Sequence, residues 1–360
     1  MDLNNLILFF TLIAFGLFFY KYFLPILSKY KPHLLIDDQF DKPQAFHESA
    51  TSTAGGVYIF FSFLIIYFSL WNFKNLIFIE YFSFSILFFT LGFIDDIKIN
   101  ISAKVRLSIM FIFLVILIKY NNFYIENTGI EFLDTWLKNY QIFSLVFVCL
   151  CFLFIINGAN LIDGYNGLLG IHSLIILTNL FLINYLSNNS SLATLLFFGM
   201  LVLIIFLKFN FPSAKIFLGD GGSYLLGAFI AISAIKTSIE NPNISPFYFC
   251  IILFYLFFEV FFSFFRKLIK EKKSPIHPDK KHLHMLLYKV LLKKNNDKLK
   301  SNYYVSIIIN LIYLILTVPA ILMMKNGIFC KYYSIVFFII YFLFYKILYQ
   351  KTNKFFIGEK

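Results

Sequence analysis

The fold is decided by the stretch Ile142-Phe-Ser-Leu-Val-Phe-Val-Cys-Leu-Cys-Phe-Leu-Phe-Ile-Ile-Asn157-Gly-Ala-Asn160-Leu-Ile-Asp163-Gly164. An apolar run of this length, folded as a helix, crosses a hydrocarbon layer roughly 30 Å thick. The run ends in asparagines, glycines and an aspartate, so a membrane helix is followed at once by a polar loop. The same alternation of long apolar runs and short polar breaks extends along the whole chain.

Composition indicates the same class of fold. Hydrophobic residues make up 60% of the 360 residues and charged residues 14%, against roughly 45–50% and about 25% in soluble domains. No water-soluble core could cover so much apolar surface. We therefore predict an all-α polytopic membrane protein that forms one domain over residues 1–360. About eleven spans are predicted, near 3–27, 56–73, 76–94, 105–119, 142–159, 168–186, 191–208, 222–238, 246–265, 302–324 and 328–348.

The distribution of Lys and Arg predicts the orientation, because these residues are enriched in cytoplasmic loops. The break at 266–301 alone holds twelve of them. The N-terminus is then outside and the C-terminus is cytoplasmic. The net charge of +12 reflects this topology and attraction to anionic headgroups, so nucleic-acid binding is not expected. The run at 3–27 has no basic residue before it and no cleavage site after it, so we expect it to remain as a membrane helix.

Two acidic motifs interrupt the apolar sequence in loops assigned to the cytoplasm. Asp95-Asp96 ends the third span, and Gly219-Asp220-Gly-Gly opens the eighth. An acidic side chain at a helix centre costs roughly 2.5–3.5 kcal/mol, and less at the interface. Carboxylates suit an oxygen-ligated divalent cation, and backbone N–H groups at a glycine-rich helix start favour phosphate. A solvated helix end is the alternative interpretation of the paired aspartates.

A third motif follows the quoted span. Asn160, Asp163 and Asn166 recur at every third position of a short loop that contains glycines. Such a loop turns tightly and can gather these side chains on one side, where they can form hydrogen bonds with the polar groups of a ligand. An ordinary Asn/Gly turn is the alternative.

Histidines cluster in the long basic loop, as Ser274-Pro-Ile-His277-Pro-Asp-Lys-Lys-His282-Leu-His284, with Arg266 ahead of them. His and Lys side chains together supply donors for a diphosphate, although histidines in a loop are often merely solvated. A zinc site is disfavoured, because no Cys or fourth ligand lies at a suitable spacing. Together the four motifs predict a site for a magnesium-bound nucleotide diphosphate beside a membrane, where positioning and charge neutralisation do most of the chemistry.

In their order along the chain, these motifs resemble the signature of the polyprenyl-phosphate N-acetylhexosamine-1-phosphate transferases, over residues of about 36 to 288. The predicted spans at 302–348 lie beyond this motif-bearing core. The resemblance implies ten or eleven spans in a bacterial inner membrane and cytoplasmic active-site loops. It also implies transfer of a sugar 1-phosphate from a UDP-N-acetylhexosamine to a polyprenyl phosphate, with release of UMP. A homodimer is a further expectation, since family members often dimerise.

The resemblance also implies roles for individual residues. Asp95, Asp96 and Asp163 match catalytic acids, and Asp220 matches the acid that ligates Mg²⁺, with Mn²⁺ as an alternative ion. The expected substrate-binding residues are Asn160, Asn166, Gly219, His47, Arg266, His282 and His284. His47 belongs to an earlier and weaker motif, in which Thr53 and Ala54 occupy positions where the family usually has Pro and Arg.

The sequence departs from the family pattern near the histidines. Glu259 stands where an Asp is common, and Met285 replaces a third histidine. The residues Pro-Asp-Lys-Lys before His282 are similar to the branch that uses UDP-N-acetylglucosamine-type donors and begins O-antigen, common-antigen or teichoic acid synthesis. We favour this branch over the peptidoglycan branch, whose donor is UDP-MurNAc-pentapeptide.

Other interpretations stay open. A transporter or flippase of lipid-linked sugars also contains intramembrane acids, but such acids should lie near mid-span rather than at one face. For the transferase, direct attack by the acceptor phosphate and double displacement through an aspartyl-phosphate are both compatible with these residues.

Overall fold

The computed structural model describes residues 3–30, 35–37, 51–71, 77–99, 101–272, 274 and 279–357, and these ranges are almost entirely helical. Two π-helical turns extend neighbouring helices, Phe19–Phe23 between the first two and Arg266–Lys270 after the twelfth. The helices are α1 (Leu3–Phe18), α2 (Leu24–Tyr30), α3 (Gly55–Ser69), α4 (Ile77–Asp96), α5 (Ala103–Asn121), α6 (Glu131–Asn139), α7 (Gln141–Ile162), α8 (Leu168–Leu186), α9 (Ser190–Asn210), α10 (Gly219–Glu240), α11 (Pro246–Ile252), α12 (Phe254–Phe265), α13 (Leu283–Asn295), α14 (Lys298–Leu322) and α15 (Gly327–Ile357).

The all-α polytopic membrane fold is confirmed, whereas the count of eleven spans is not. In the described part of the chain, 8 helices are long and apolar enough to cross a membrane, or 9 if α11 and the helix that follows it, bent by 76°, form one span. The two remaining predicted spans also coincide with helices. Of these, α3 has only 15 residues, and α5 carries three basic residues, Lys104, Arg106 and Lys119.

Helix α10 lies at the centre of the bundle. Its residues from Gly221 to Thr237 are all buried, because α3, α4, α7 and α8 surround it. Small residues allow close packing here: a Cβ atom on Gly227 would lie 2.7 Å from the Cα of Ile156 on α7. The apolar character of α10 on every face is the pattern of a helix buried on all sides.

Helices α4 and α10 are antiparallel and in contact along their length. At one end Lys236 forms an ion pair with Glu80, and one residue along α4 the Tyr81 hydroxyl donates to Ser233 Oγ over 3.0 Å. At the other end, sixteen residues away on each helix, Asp96 meets Asp220. This register brings the end of α4 against the start of α10, where two predicted site motifs lie.

A short β structure, which the all-α prediction did not include, links the chain before α3 to the chain before α10. Strands β1 (Ile36–Asp37) and β2 (Thr51–Ser52) pair antiparallel. At the end of β2, the Ser52 carbonyl accepts from the N–H of Phe217 over 2.7 Å. The N–H groups of the next glycines, Gly55 and Gly56, donate to the Phe217 and Leu218 carbonyls over 2.9 and 2.8 Å. Residues 52–56, at the end of the weak early motif, are therefore held against the glycine-rich motif.

Candidate active site

The glycine-rich turn at the start of α10 is built around the Asp96 carboxylate. Gly219 has φ of +71°, and a Cβ atom on it would lie 2.7 Å from both Asp96 carboxylate oxygens, so only glycine fits this position. The carboxylate accepts from the backbone N–H groups of Asp220 over 2.8 Å and Gly221 over 2.9 Å. Asp96 thus caps the positive end of α10, where a negative charge is stabilised by the helix dipole.

Asp220 is held from the side by α7. The Asn160 amide donates to Asp220 Oδ1 over 2.7 Å and to Ser223 Oγ over 2.9 Å. These bonds join residues 60 and 63 positions apart in the chain. They leave Oδ2 of Asp220 on the side that faces Arg106, at 3.7 Å from Nη1 of that residue.

Arg106 is a site residue that the sequence did not single out. On α5, its guanidinium forms an ion pair with Asp95, approaches Asp220, and lies 5.6 Å from the centre of the Tyr224 ring. Arg106 therefore places one positive charge between two aspartates of different motifs. In the sequence it is one of many basic residues on the predicted cytoplasmic side, and no local pattern distinguishes it.

Asp163 completes the group of carboxylates. It follows the last residue of α7, and its backbone N–H closes that helix on the Asn160 carbonyl. Burial, with a further contribution from the negative charge of Asp220, raises the pKa of Asp163 to about 8. The structure therefore brings Asp95, Asp96, Asn160, Asp163, Gly219 and Asp220 together at one end of the bundle, as the sequence predicted.

The donor chemistry of this group fits a hard divalent cation. All its anionic groups are carboxylates, and the pKa of Asp163 is raised mainly by burial and further by the negative charge of Asp220, which a bound cation would offset. Within the described ranges, no three His, Cys, Asp or Glu side chains form a complete metal-binding cluster. Such a cluster is not required for Mg²⁺, which usually binds one or two carboxylates and takes its other ligands from water and substrate phosphates.

The predicted histidines form a second, neighbouring cluster. His282 Nδ1 lies 3.0 Å from Glu259 Oε1, and the rings of His282 and His284 are stacked with centroids 5.5 Å apart. His284 Nδ1 lies 3.2 Å from the Tyr255 hydroxyl. Burial lowers the pKa of His284 to about 3, so this imidazole is neutral at physiological pH, and its predicted role in substrate binding stays a prediction.

Tyr165 connects the histidine cluster to the carboxylates. This residue follows Asp163 by two positions, and its ring lies 5.6 Å from that of His284, edge to face. The helices behind the two clusters are also tightly packed, because a Cβ atom on Gly158 would lie 2.1 Å from the Leu256 carbonyl oxygen. The histidines thus lie beside the Asp163 loop rather than within the carboxylate group.

Arg266 and Asn166 are held by protein contacts. Arg266 pairs with Asp279 and, over 2.8 Å, with Glu271, so it contacts the residues on either side of the segment 275–278. The Asn166 amide donates to the Pro212 carbonyl over 2.8 Å, and its backbone N–H donates to Asn302 Oδ1 over 2.8 Å. Their predicted roles in substrate binding stay predictions. His47 lies outside the described residues.

Comparison with known proteins supports the family that the motifs resemble. The sequence profile of glycosyl transferase family 4 matches residues 78–238, which include the carboxylate group and its Asn160 partner. An undecaprenyl-phosphate alpha-N-acetylglucosaminyl 1-phosphate transferase of Thermotoga maritima is 30% identical over 238 residues, which is 66% of this chain and 68% of the relative. The chain belongs to glycosyl transferase family 4.

Family 4 relatives of this chain carry two kinds of name. A phospho-N-acetylmuramoyl-pentapeptide-transferase of Dictyoglomus turgidum is 30% identical over 280 residues, covering 76% of this chain and 88% of the relative. An undecaprenyl-phosphate alpha-N-acetylglucosaminyl 1-phosphate transferase of Escherichia coli O157:H7 is 26% identical over 202 residues, covering 55% of this chain and 54% of the relative. The suspected family is therefore confirmed, and the chain is similar to both of its branches.

Proposed function

We propose that this protein transfers N-acetylhexosamine 1-phosphate from a UDP-sugar to undecaprenyl phosphate, releases UMP, and starts a lipid-linked cell-surface polysaccharide. The observation that carries the proposal is the meeting of four motif aspartates with Arg106 where α4, α7 and α10 present their ends. This end would face the cytoplasm, the N-terminus would lie outside, and the protein would reside in a bacterial inner membrane.

The chain's own residues would position the reactants and balance their charge. Asn160 and Arg106 fix the Asp220 carboxylate, and the first N–H groups of α10 are already occupied by Asp96. Asp220 would hold Mg²⁺, with Asp95 or Asp163 next to it. When bound, Mg²⁺ would neutralise the diphosphate and align it for in-line attack.

The acceptor needs little activation by a base. A phosphate monoester has a second pKa of about 6 and is largely dianionic at pH 7. Deprotonation by Asp95 would therefore contribute a modest part of the rate, and alignment would contribute more. Direct attack and double displacement through an aspartyl-phosphate predict the same products, and only the second predicts a protein adduct when the UDP-sugar is supplied without acceptor.

The test is release of UMP by the purified protein with undecaprenyl phosphate and Mg²⁺ or Mn²⁺. UDP-N-acetylglucosamine, other UDP-N-acetylhexosamines and UDP-MurNAc-pentapeptide are supplied in parallel. We expect release with one short-sugar donor, and its loss with a chelator or with Asp220→Asn. Release with the pentapeptide donor alone would assign the protein to the peptidoglycan branch.

Absence of release with every donor, from protein with intact helical structure, would contradict the transferase and favour a transporter of lipid-linked sugars. Light scattering of the purified protein in detergent would test the expected homodimer separately.

A further inference from the structure

Glu259 is a buried carboxylate with an unusually complete set of donors. It is 1% exposed, and its Oε1 accepts from the backbone N–H of Leu283 over 3.1 Å and lies 3.0 Å from His282 Nδ1. Its Oε2 accepts from the Tyr341 hydroxyl over 2.8 Å. A buried carboxylate is tolerated only when such donors replace its lost hydration.

These donors come from separate elements. Glu259 lies on α12, His282 and Leu283 lie at the start of α13, and Tyr341 lies on the last helix, α15. The Tyr341 ring is also held, since its centroid lies 4.8 Å from that of Phe258 and 5.4 Å from that of Phe262. One carboxylate oxygen of Glu259 is therefore bonded to His282 and Leu283, and the other is bonded to Tyr341 on α15.

The contact with Glu259 decides which nitrogen of His282 carries a proton. A carboxylate that accepts from Nδ1 keeps the proton on that atom, so Nε2 is the unprotonated nitrogen, which can accept a hydrogen bond from a ligand. His282 is itself only 4% exposed, so the orientation of its ring is set by buried contacts, among them the one between Nδ1 and Glu259. The orientation of Glu259 thus controls the presentation of His282.

We propose that Tyr341 is a positioning residue for the sugar-nucleotide donor, acting through Glu259 on His282. The proposal rests on the proposed function, because it assigns His282 to the UDP-sugar, whose hydroxyl and N–H groups can donate to the unprotonated Nε2. It also gives a role in the site to α15, which lies far beyond the residues that match the family profile. Without the Tyr341 hydroxyl, Oε2 of Glu259 loses its hydrogen-bond donor. The carboxylate can then rotate, and the orientation of the His282 ring changes because its Nδ1 is bonded to Oε1.

The experiment is a double-mutant cycle of Tyr341→Phe and Glu259→Gln, with KM for the UDP-sugar, KM for undecaprenyl phosphate and kcat measured for each variant. Tyr345→Phe is the matched control. Tyr345 lies one turn further along the same helix with its ring stacked on that of Tyr341 at 6.2 Å, and its buried hydroxyl has no hydrogen-bond partner among the described residues.

We expect Tyr341→Phe to raise KM for the UDP-sugar about five- to tenfold, the effect of losing one hydrogen bond to a charged group through an intermediary. KM for the lipid should stay within about twofold. Glu259→Gln should raise the donor KM at least as much, and the double variant should match it, because Tyr341 then has no carboxylate to act on. Tyr345→Phe should behave as wild type.

Other results would overturn the proposal. A lower kcat with unchanged donor KM would indicate a smaller fraction of folded protein, and multiplied effects in the double variant would indicate that the two residues act independently. An equal rise of the donor KM in Tyr345→Phe would indicate that the effect comes from altered packing of α15 and not from the Tyr341 hydrogen bond. If wild-type protein releases no UMP, the proposed function fails and the positioning role fails with it. If wild type is active and Tyr341→Phe is unchanged, only the positioning role fails.

Discussion

Gly92 on α4 lies against the backbone of Asp220 at the start of α10, so closely that a Cβ atom on Gly92 would be 2.3 Å from the Asp220 carbonyl oxygen. One turn further along α4, Asp96 caps the same helix start. The position of the Asp220 carboxylate therefore depends on a close contact between two backbones, and the space for that contact exists only because residue 92 has no side chain.

The first prediction concerns this contact. Gly92→Ala should separate α4 from α10, and such overpacking costs typically about 1–3 kcal/mol. We expect a lower midpoint of thermal unfolding, measured by circular dichroism in detergent, together with weaker Asp220-dependent release of UMP. Gly164→Ala is the control for stability, because a Cβ atom there meets nothing within 4 Å. Equal melting temperatures for Gly92→Ala and Gly164→Ala would show that the close contact between Gly92 and Asp220 does not contribute to stability.

Arg106 gives the second prediction. Arg106→Gln removes the positive charge between Asp95 and Asp220 and leaves their repulsion uncompensated. We expect the rate of UMP release to fall about a hundredfold, the size of effect seen when a preorganised charged donor is removed from a site. Arg106→Lys keeps the charge but not the planar fork, so its loss should be intermediate. Activity of Arg106→Gln within twofold of wild type would show that Arg106 is not part of the working site.

The third prediction concerns pH. Because burial and Asp220 raise the pKa of Asp163 to about 8, the folded protein keeps a proton that the unfolded chain releases near pH 4. The folded state therefore binds more protons between about pH 4 and 8, and this group's contribution to the free energy of unfolding falls as pH rises through that window. The Asp163→Asn side chain does not titrate, so it contributes no such pH dependence to the free energy of unfolding.

We therefore expect metal-free wild type and Asp163→Asn to melt alike near pH 4, with the variant more stable by about 3–6 °C near pH 8. Addition of Mg²⁺ at pH 8 should narrow the difference by stabilising the wild-type carboxylate. A difference in melting temperature that does not change with pH would contradict the raised pKa of Asp163.

The fourth prediction concerns the other end of the α4–α10 pair. Lys236→Met leaves Glu80 partly buried without its ion-pair partner, and breaking a buried pair in this way costs about 3–5 kcal/mol. The double variant Lys236→Met with Glu80→Gln should recover most of the lost melting temperature, since no unpaired charge remains. Recovery of the melting temperature in the double variant would show that the unpaired charge of Glu80 causes the loss. Equal melting temperatures of the single and double variants would mean that Lys236 contributes by packing alone.

The sequence by itself determined the class of fold and the set of site motifs. Apolar length, hydropathy and the positions of Asp95, Asp96, Asp163 and Asp220 are local properties, because a membrane helix must be long, apolar and internally hydrogen-bonded wherever it lies in the chain. These properties predicted where the helices and the polar breaks occur and that the aspartates would meet at one end of the bundle.

Only the tertiary structure decided what each polar group does there. Both carboxylate oxygens of Asp96 accept hydrogen bonds from the backbone of α10. The Asn166 side chain donates to the Pro212 carbonyl. Arg106, which belongs to none of the motifs, lies between Asp95 and Asp220. Glu259 takes its donors from residues 23, 24 and 82 positions away. Such contacts depend on the register and crossing of packed helices, and a hydropathy pattern records which residues are buried but not which neighbours they meet.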